Sequence, residues 1–303
     1  MILLITLVDA LGKARMSKIP VSRHITIGEL NTAFDILKAA RPAYKSILSL
    51  YVPIFVAQEE ARQLVQSCPV EVTEERLKYF QLQERALFDK PEFTIDRKSS
   101  RHLFKELCVI ASNSDAKELN SESSFMRALM LEDFNPEPFF LAILNEDKDV
   151  FDAIALKYNS RPQPIEMLSY NSIKPSLVSY ASILKNFIPK DFCWQKPGCP
   201  ICGSQPVLSV IDAQGNRHLV CGFCWNEWSA RRIRCAFCGE TDSRKLHYQF
   251  SDIEKEYRLE ICNSCQSYLK TVDIRKLDRP FYPPLEHLVS THLDMRMENS
   301  QLP

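Results

Sequence analysis

Through most of the chain ahead of Cys193, apolar residues recur three and four positions apart. That spacing gathers them on one face of a helix. No glycine interrupts the stretch from Glu29 to Pro197, which favours long helices over glycine-dependent hairpin turns. Thr26-Ile27-Gly28-Glu29 has the form of a capping box, and Ile27, Leu30, Phe34 and Leu37 follow it as the first apolar stripe. Pro42 interrupts the pattern, which resumes with Tyr44, Ile47, Leu48 and Tyr51 on one face. Pro53 reads as the first residue of a further helix carrying Phe55, Val56, Ala61, Leu64 and Val65 and ending near Cys68-Pro69. Thr73 opens another, with Leu77, Phe80, Leu87 and Phe88 as its apolar contacts. The spacing predicts more helices over residues 100–112, 122–132, 136–144, 150–158 and 174–187. Residues 113–122 and 145–149 read as solvated loops.

Beyond this the pattern changes character. Four Cys-x-x-Cys pairs fall within 67 residues: Cys199 and Cys202, Cys221 and Cys224, Cys235 and Cys238, Cys262 and Cys265. Two thiolates from one tight turn can reach the same ion, and two such turns close a tetrahedral four-sulfur site. Eight sulfurs therefore predict two metal ions. The gaps between successive pairs are 18, 10 and 23 residues. Each long gap can hold a hairpin that returns the chain to the ion, whereas the short one reads as a linker. The first four cysteines thus pair with each other and the last four with each other; interleaved pairing is the alternative.

An internal repeat supports that grouping. Cys199-Pro-Ile-Cys202-Gly203-Ser204 aligns with Cys235-Ala-Phe-Cys238-Gly239-Glu240, and Arg217-His-Leu219-Val-Cys221 with Arg258-Leu259-Glu-Ile-Cys262. Five of the seven glycines lie between Gly198 and Gly239, and Gly203 and Gly239 each follow the second cysteine of a pair. A residue free to adopt positive φ there lets backbone N–H groups turn toward the sulfurs.

Composition narrows the class. Lys plus Arg equals Asp plus Glu at 38 each, so no global field draws the chain to nucleic acid or to an anionic membrane. Between Lys196 and Lys276 the balance is 12 basic to 9 acidic residues, too slight for a dedicated nucleic-acid ribbon. The regular cysteine pattern points to metal in a reducing compartment rather than to disulfides. Cys68, Cys108 and Cys193 stand outside it and read as small buried hydrophobes. The apolar run Met1–Val8 meets Asp9 too soon to span a bilayer and lacks a basic segment before it. A cytoplasmic protein without membrane insertion is expected, and Met16 is an alternative start. No paired carboxylates, phosphate loop, nucleophile elbow or histidine cluster suggests an enzyme, and His24 and His102 stand alone.

Several residues go beyond metal binding. Cys199-Pro-Ile-Cys-Gly-Ser-Gln-Pro206-Val207 leads into Gly215-Asn-Arg217-His-Leu219-Val-Cys221. Then follow Cys224-x-x-Glu227-Trp228-x-x-x-Arg232-x-x-Cys235-x-x-Cys238-Gly239 and Arg258-x-Glu260-x-Cys262-x-x-Cys265-x-x-Tyr268-Leu269-Lys270. This order resembles the formate dehydrogenase accessory protein family, densely from Cys199 to Asp273. Glu286-His287-Leu288 stands where that family usually has Asp-Asp-Leu, and Ala57-Gln58 is the most familiar piece of the helical part.

The resemblance implies an α+β protein: a helical domain over residues 1–192, two rubredoxin-like or zinc-ribbon modules over 193–230 and 231–275, and a helical tail over 276–303. It implies a non-enzymatic maturation factor that binds the catalytic subunit of a molybdenum- or tungsten-dependent formate dehydrogenase before export. On residue chemistry alone a closed four-sulfur site reads as structural zinc; the resemblance shifts the ion toward iron, with zinc the alternative. Thiol–disulfide exchange suits four knuckle pairs less well. Trp228 and Arg232 serve either packing between modules or contact with a partner. The competing class is a zinc-ribbon nucleic-acid or regulatory binder. A basic face at Arg231 to Arg234 free of acidic neighbours would favour that class. An apolar groove between the helical and metal parts would favour the assembly factor.

Overall fold

The computed structural model describes residues 25–66, 70–114, 123–189, 192–250 and 254–299. The expectations for Met1–Val8, Met16, His24 and Cys68 lie outside them.

The helical half follows the apolar stripes. Helix α1 (Ile27–Ala40) starts at the Thr26–Glu29 capping box, with Leu30, Ala33 and Leu37 buried. Helix α2 spans Lys45–Leu64 without a break, so Pro53 lies inside it and does not open a new helix. The proline is tolerated because it sits on the solvent face: Pro53 and Ser49, whose carbonyl loses its helical donor, are both exposed, and water can satisfy that carbonyl. Helix α3 (Glu74–Gln81) is capped by Thr73, and α4 (Arg97–Ser112) by Asp96. Leu87 and Phe88 are buried but follow α3 in the chain. Then come α5 (Ser123–Leu129), α6 (Glu137–Asn145) and α7 (Asp149–Lys157).

Helix α8 (Gln163–Lys185) begins well before the expected residue 174 and carries Pro175 in its interior. Pro175 would ordinarily orphan the carbonyl of Asn171. Here the side-chain amide of Gln58 donates to that carbonyl at 2.8 Å and to Asn171 Oδ1 at 2.8 Å. A buried glutamine on α2 thus replaces the missing backbone donor and stitches α2 to α8.

The second half is a six-stranded sheet in the order β3-β2-β1-β6-β5-β4. Strands β1 (Pro206–Ile211), β2 (Arg217–Cys221) and β3 (Glu227–Ala230) form an antiparallel meander. Strands β4 (Leu246–Phe250), β5 (Tyr257–Cys262) and β6 (Ser267–Asp273) form a second. The two join at a parallel seam, Ser209 beside Thr271, Val210 beside Val272 and Ile211 beside Asp273.

Two short helices, α9 (Pro283–Val289) and α10 (Thr291–Asn299), clamp the halves together. Glu286 on α9 is fully buried and accepts from Arg279 at 2.8 and 3.0 Å and from the Tyr257 hydroxyl. Arg41, just past α1, donates to the Val289 carbonyl at 3.1 Å and pairs with Glu256 at 3.0 Å. Tyr282 donates to Glu59 on α2 at 3.0 Å. One hydrophobic core runs through both halves, from Leu30 and Phe104 to Ile201, Val210 and Val289.

Candidate metal centres

The structure gathers Cys199, Cys202, Cys221 and Cys224 in one group and Cys235, Cys238, Cys262 and Cys265 in another, the sulfurs of each group within 4.8 Å of one another. Each group thus joins the start of one meander to the turn between its second and third strands. In the first, sulfur separations are 3.7 Å for Cys199–Cys224, 3.4 Å for Cys202–Cys221 and 3.5 Å for Cys202–Cys224. In the second, Cys235–Cys265 is 3.6 Å and Cys238–Cys262 is 3.7 Å. A tetrahedral ion with metal–sulfur bonds of about 2.3 Å needs edges of about 3.8 Å, so both sets fit a closed four-sulfur ion. Four protein ligands leave such an ion no open coordination position.

The knuckles supply the backbone donors a thiolate needs. Ile201 N points at Cys199 Sγ (3.4 Å), Phe223 N at Cys221 Sγ (3.3 Å) and Phe237 N at Cys235 Sγ (3.4 Å). Each depends on a turn made by the residue after the pair. Gly203 and Gly239 sit at φ +72° and +79°, and Trp225 and Gln266 occupy the equivalent places at +57° and +54°. Sequence reasoning found the two glycines and missed the other two, because a left-handed tryptophan or glutamine leaves no compositional signal. Trp225 is held in place by its surroundings: its Nε1 donates to the Tyr170 hydroxyl at 2.7 Å.

The two centres differ in environment. All four sulfurs of the first belong to buried residues, whereas Cys238 is exposed and Cys265 half-buried. The helical half encloses the first centre. Leu87 N donates to the Pro200 carbonyl and Phe88 N to that of Ile201, both at 2.8 Å, so a loop after α3 pairs with the first knuckle. Tyr170 on α8 donates to the Phe223 carbonyl in the second knuckle at 2.8 Å. The second centre is flanked by solvent-facing polar residues: Glu240 accepts from Ser264 Oγ at 2.7 Å and from Lys245 at 3.2 Å. Without a cation, burial pushes the Cys199 and Cys224 thiols up, while hydrogen bonding with Cys199 and the other sulfurs pulls Cys202 down. A buried set that resists charge at two positions calls for a cation to hold four thiolates.

The remaining sequence candidates fall as follows. Trp228 is 8% exposed on β3, opposite Leu219, and Arg232 is exposed beyond the strand end. Arg231 is also exposed, but Arg234 donates to the Gln195 carbonyl at 2.8 Å. Cys108 is buried as expected, its thiol pushed up to about 12 by burial. Cys193 is exposed, contrary to the expectation of a buried thiol. In the extended segment there, Phe192 and Trp194 turn inward against Phe80 and leave the intervening side chain facing out. His102 is exposed on α4. Buried polar groups that the sequence did not single out lie on the first meander. His218 lies between Asp212 (3.1 Å) and Glu227 (3.3 Å), and burial pushes the Glu227 carboxyl up to about 8.

Among the described residues no helix is long and apolar enough to cross a membrane. A groove of about 520 Å³ opens where the helices meet the knuckles of the first centre, with Ile143, Phe151, Met167, Tyr170 and Phe223 among its walls.

Comparison with known proteins places this region among relatives. The model of the FdhE central domain matches residues 198–232, and that of the FdhE C-terminal domain matches residues 233–303. A protein FdhE homolog of Aquifex aeolicus is 34% identical over 133 residues, 43% of this chain and 45% of that one. A homolog of Haemophilus ducreyi is 38% identical over 104 residues, 33% of each chain. Protein FdhE of Escherichia coli K12 is 35% identical over 131 residues, 41% of each. The chain thus spans less than half the length of these curated relatives. The crystal structure of the FdhE protein from Pseudomonas aeruginosa shares the fold, with a TM-score of 0.63 over 93% of this chain and 94% of that one at 19% identity.

Proposed function

We propose, from the match of residues 198–303 to the FdhE central and C-terminal domains, that the chain is an FdhE-type accessory factor of formate dehydrogenase maturation. In this reading it binds the catalytic subunit of a molybdenum- or tungsten-dependent formate dehydrogenase in the cytoplasm, during assembly and before export, and turns over no formate itself. The eight cysteines hold two ions, with iron the favoured metal and zinc the alternative. The modules run over residues 193–230 and 231–275, between a helical domain and a helical tail.

One observation carries the reading: the groove between the helices and the first centre, whose walls combine apolar side chains with Lys90, Glu146 and Glu166. A mixed apolar and charged surface built jointly by helices and a metal knuckle suits a polypeptide client, and it keeps its shape only while the metal module is folded. Exposed Arg232 offers a polar contact for the same client. The competing class, a nucleic-acid binder, draws less support. Arg234 is engaged with Gln195, and Arg231 with Arg232 falls well short of the roughly 6–10 phosphate contacts that sustain strong binding.

The test is deletion of the gene in its host, followed by complementation. Formate dehydrogenase activity should fall, return with the wild-type gene, and stay low with Cys235→Ser/Cys238→Ser. Full activity in the deletion strain, with no second copy of the factor, would defeat the assignment.

A further inference from the structure

A second cavity, of about 350 Å³, lies between α2, α8, the turn after Cys224 and the start of α9. Lys174 on α8 projects into its wall and is 5% exposed. Its ammonium lies 4.4 Å from the ring centre of Trp225 and 5.2 Å from that of Phe55. Among the described residues it has no carboxylate, carbonyl or hydroxyl partner within hydrogen-bonding distance. The carboxylates nearby are committed elsewhere. Glu59 accepts from Tyr282 at 3.0 Å and from Arg62 at 2.8 Å, and Glu227 lies 3.3 Å from His218 Nδ1. The second lysine of the cavity, Lys185, donates to the Glu227 carbonyl at 3.1 Å.

A buried ammonium with three donors, ring faces against it and a nearby carboxylate that accepts from other residues is held at a cost to folding. Burial accordingly pushes it down to about 7. The cost has a purpose if the missing partner arrives with a ligand. We propose that this cavity binds a carboxylate, with an oxygen accepting from Lys174 and the attached apolar carbons lying against Trp225, Val178 and Ala181. The charge sets the class. One unpaired ammonium with the Glu59 carboxylate already nearby suits a single negative charge on an apolar stem better than a phosphate dianion. The volume leaves room for a stem of amino-acid size. Such a carboxylate can come from a free short-chain acid or from the end of a polypeptide. The site binds it whether or not the chain serves formate dehydrogenase.

The experiment titrates the metal-loaded full chain with propionate and with the tripeptide Ala-Ala-Leu, the latter as free acid and as C-terminal amide. Binding is read by ligand-observed NMR and tryptophan fluorescence. Saturable binding of propionate or of the free-acid peptide is expected, with the amide bound at least tenfold more weakly. The tighter of the two acids identifies the source. Lys174→Met should weaken binding about 10- to 100-fold, the loss of one charge-assisted hydrogen bond. The same variant should keep its metal content and raise the thermal midpoint, because it removes an unpaired buried charge. If Lys174→Met fails to fold, the acid-against-amide comparison on the wild-type protein decides. No saturable binding of any acid, equal binding of acid and amide, or undiminished binding by a folded Lys174→Met overturns the proposal.

Discussion

Gln58 and Asn171 meet at 2.8 Å because Pro175 removes the donor that the Asn171 carbonyl would otherwise have. The contact is buried and joins two long helices, so its loss orphans a carbonyl with no route to water. Gln58→Leu should destabilise the protein by about 1–3 kcal/mol. Pro175→Ala returns the N–H to helix α8, so the same glutamine replacement should cost less in that background. Urea denaturation of the four proteins in the cycle gives the coupling. Equal losses in both backgrounds would show that Gln58 acts by packing alone.

Arg217 is the corresponding link between the two meanders. Its side chain is 2% exposed, pairs with Glu260 at 2.6 Å, and donates to the carbonyls of Arg231 and Arg234 at 3.0 and 3.2 Å. Those carbonyls belong to the linker that enters the second centre at Cys235. Arg217→Met should cost about 1–3 kcal/mol, because it removes the donor of the Arg231 and Arg234 carbonyls and one of the two partners of Glu260, which keeps Arg258 at 3.1 Å. It should also lower metal occupancy at the second centre. An unchanged denaturation midpoint would remove Arg217 from this role.

The contrast in burial between the centres predicts two rates of metal loss. A chelator added to the folded protein should withdraw one equivalent rapidly from the group holding exposed Cys238 and the other slowly from the fully buried group. Cys235→Ser/Cys238→Ser should abolish the fast phase, and Cys199→Ser/Cys202→Ser the slow one. Release of both equivalents with one rate constant would contradict independent centres.

Glu227 gives a pH dependence of definite sign. Burial raises its carboxyl from 4.5 to about 8, so the native state keeps a proton that the unfolded chain releases. The stability it contributes is fully present below about pH 4.5 and is lost as pH rises to about 8. Within that window the slope is at most about 1.4 kcal/mol per pH unit. Glu227→Gln abolishes this loss, so its stability relative to wild type should climb through the window and level off above it. A flat difference across that range, measured by urea denaturation, would mean the carboxyl ionises normally.

What the sequence revealed depended on whether the cause was local. The Thr26–Glu29 box, the Thr73 cap and the first apolar stripe are short-range patterns, and they appear where the spacing places them. The cysteine grouping was legible too, since gap lengths and the repeat both reported the two meanders. Pro53 misled because a proline reads as a helix start unless its orphaned carbonyl has another partner, and the helix expected from residue 174 proved to carry Pro175 in its interior. That partner was solvent in one case and Gln58, 117 residues before Pro175, in the other. The repeat also concealed a difference. Arg217 bridges the meanders, while the aligned Arg258 pairs within its own strand with Glu260 at 3.1 Å. Lys174 and its cavity gave no signal, because a lysine in an amphipathic helix looks solvated until packing encloses it.

The parallel seam between β1 and β6 has a consequence for synthesis on the ribosome. The first four cysteines are complete once Cys224 has emerged, and that meander can capture its ion and fold. Strand β1 then waits for Ser267–Asp273 before its open edge is covered. Throughout that interval the nascent chain presents Val210 and Ile211, later buried, beside a row of unpaired backbone groups. Such an edge invites pairing with a neighbouring chain. Elongation between Cys224 and Asp273 is therefore the interval in which a slowed or truncated product would be most prone to aggregate.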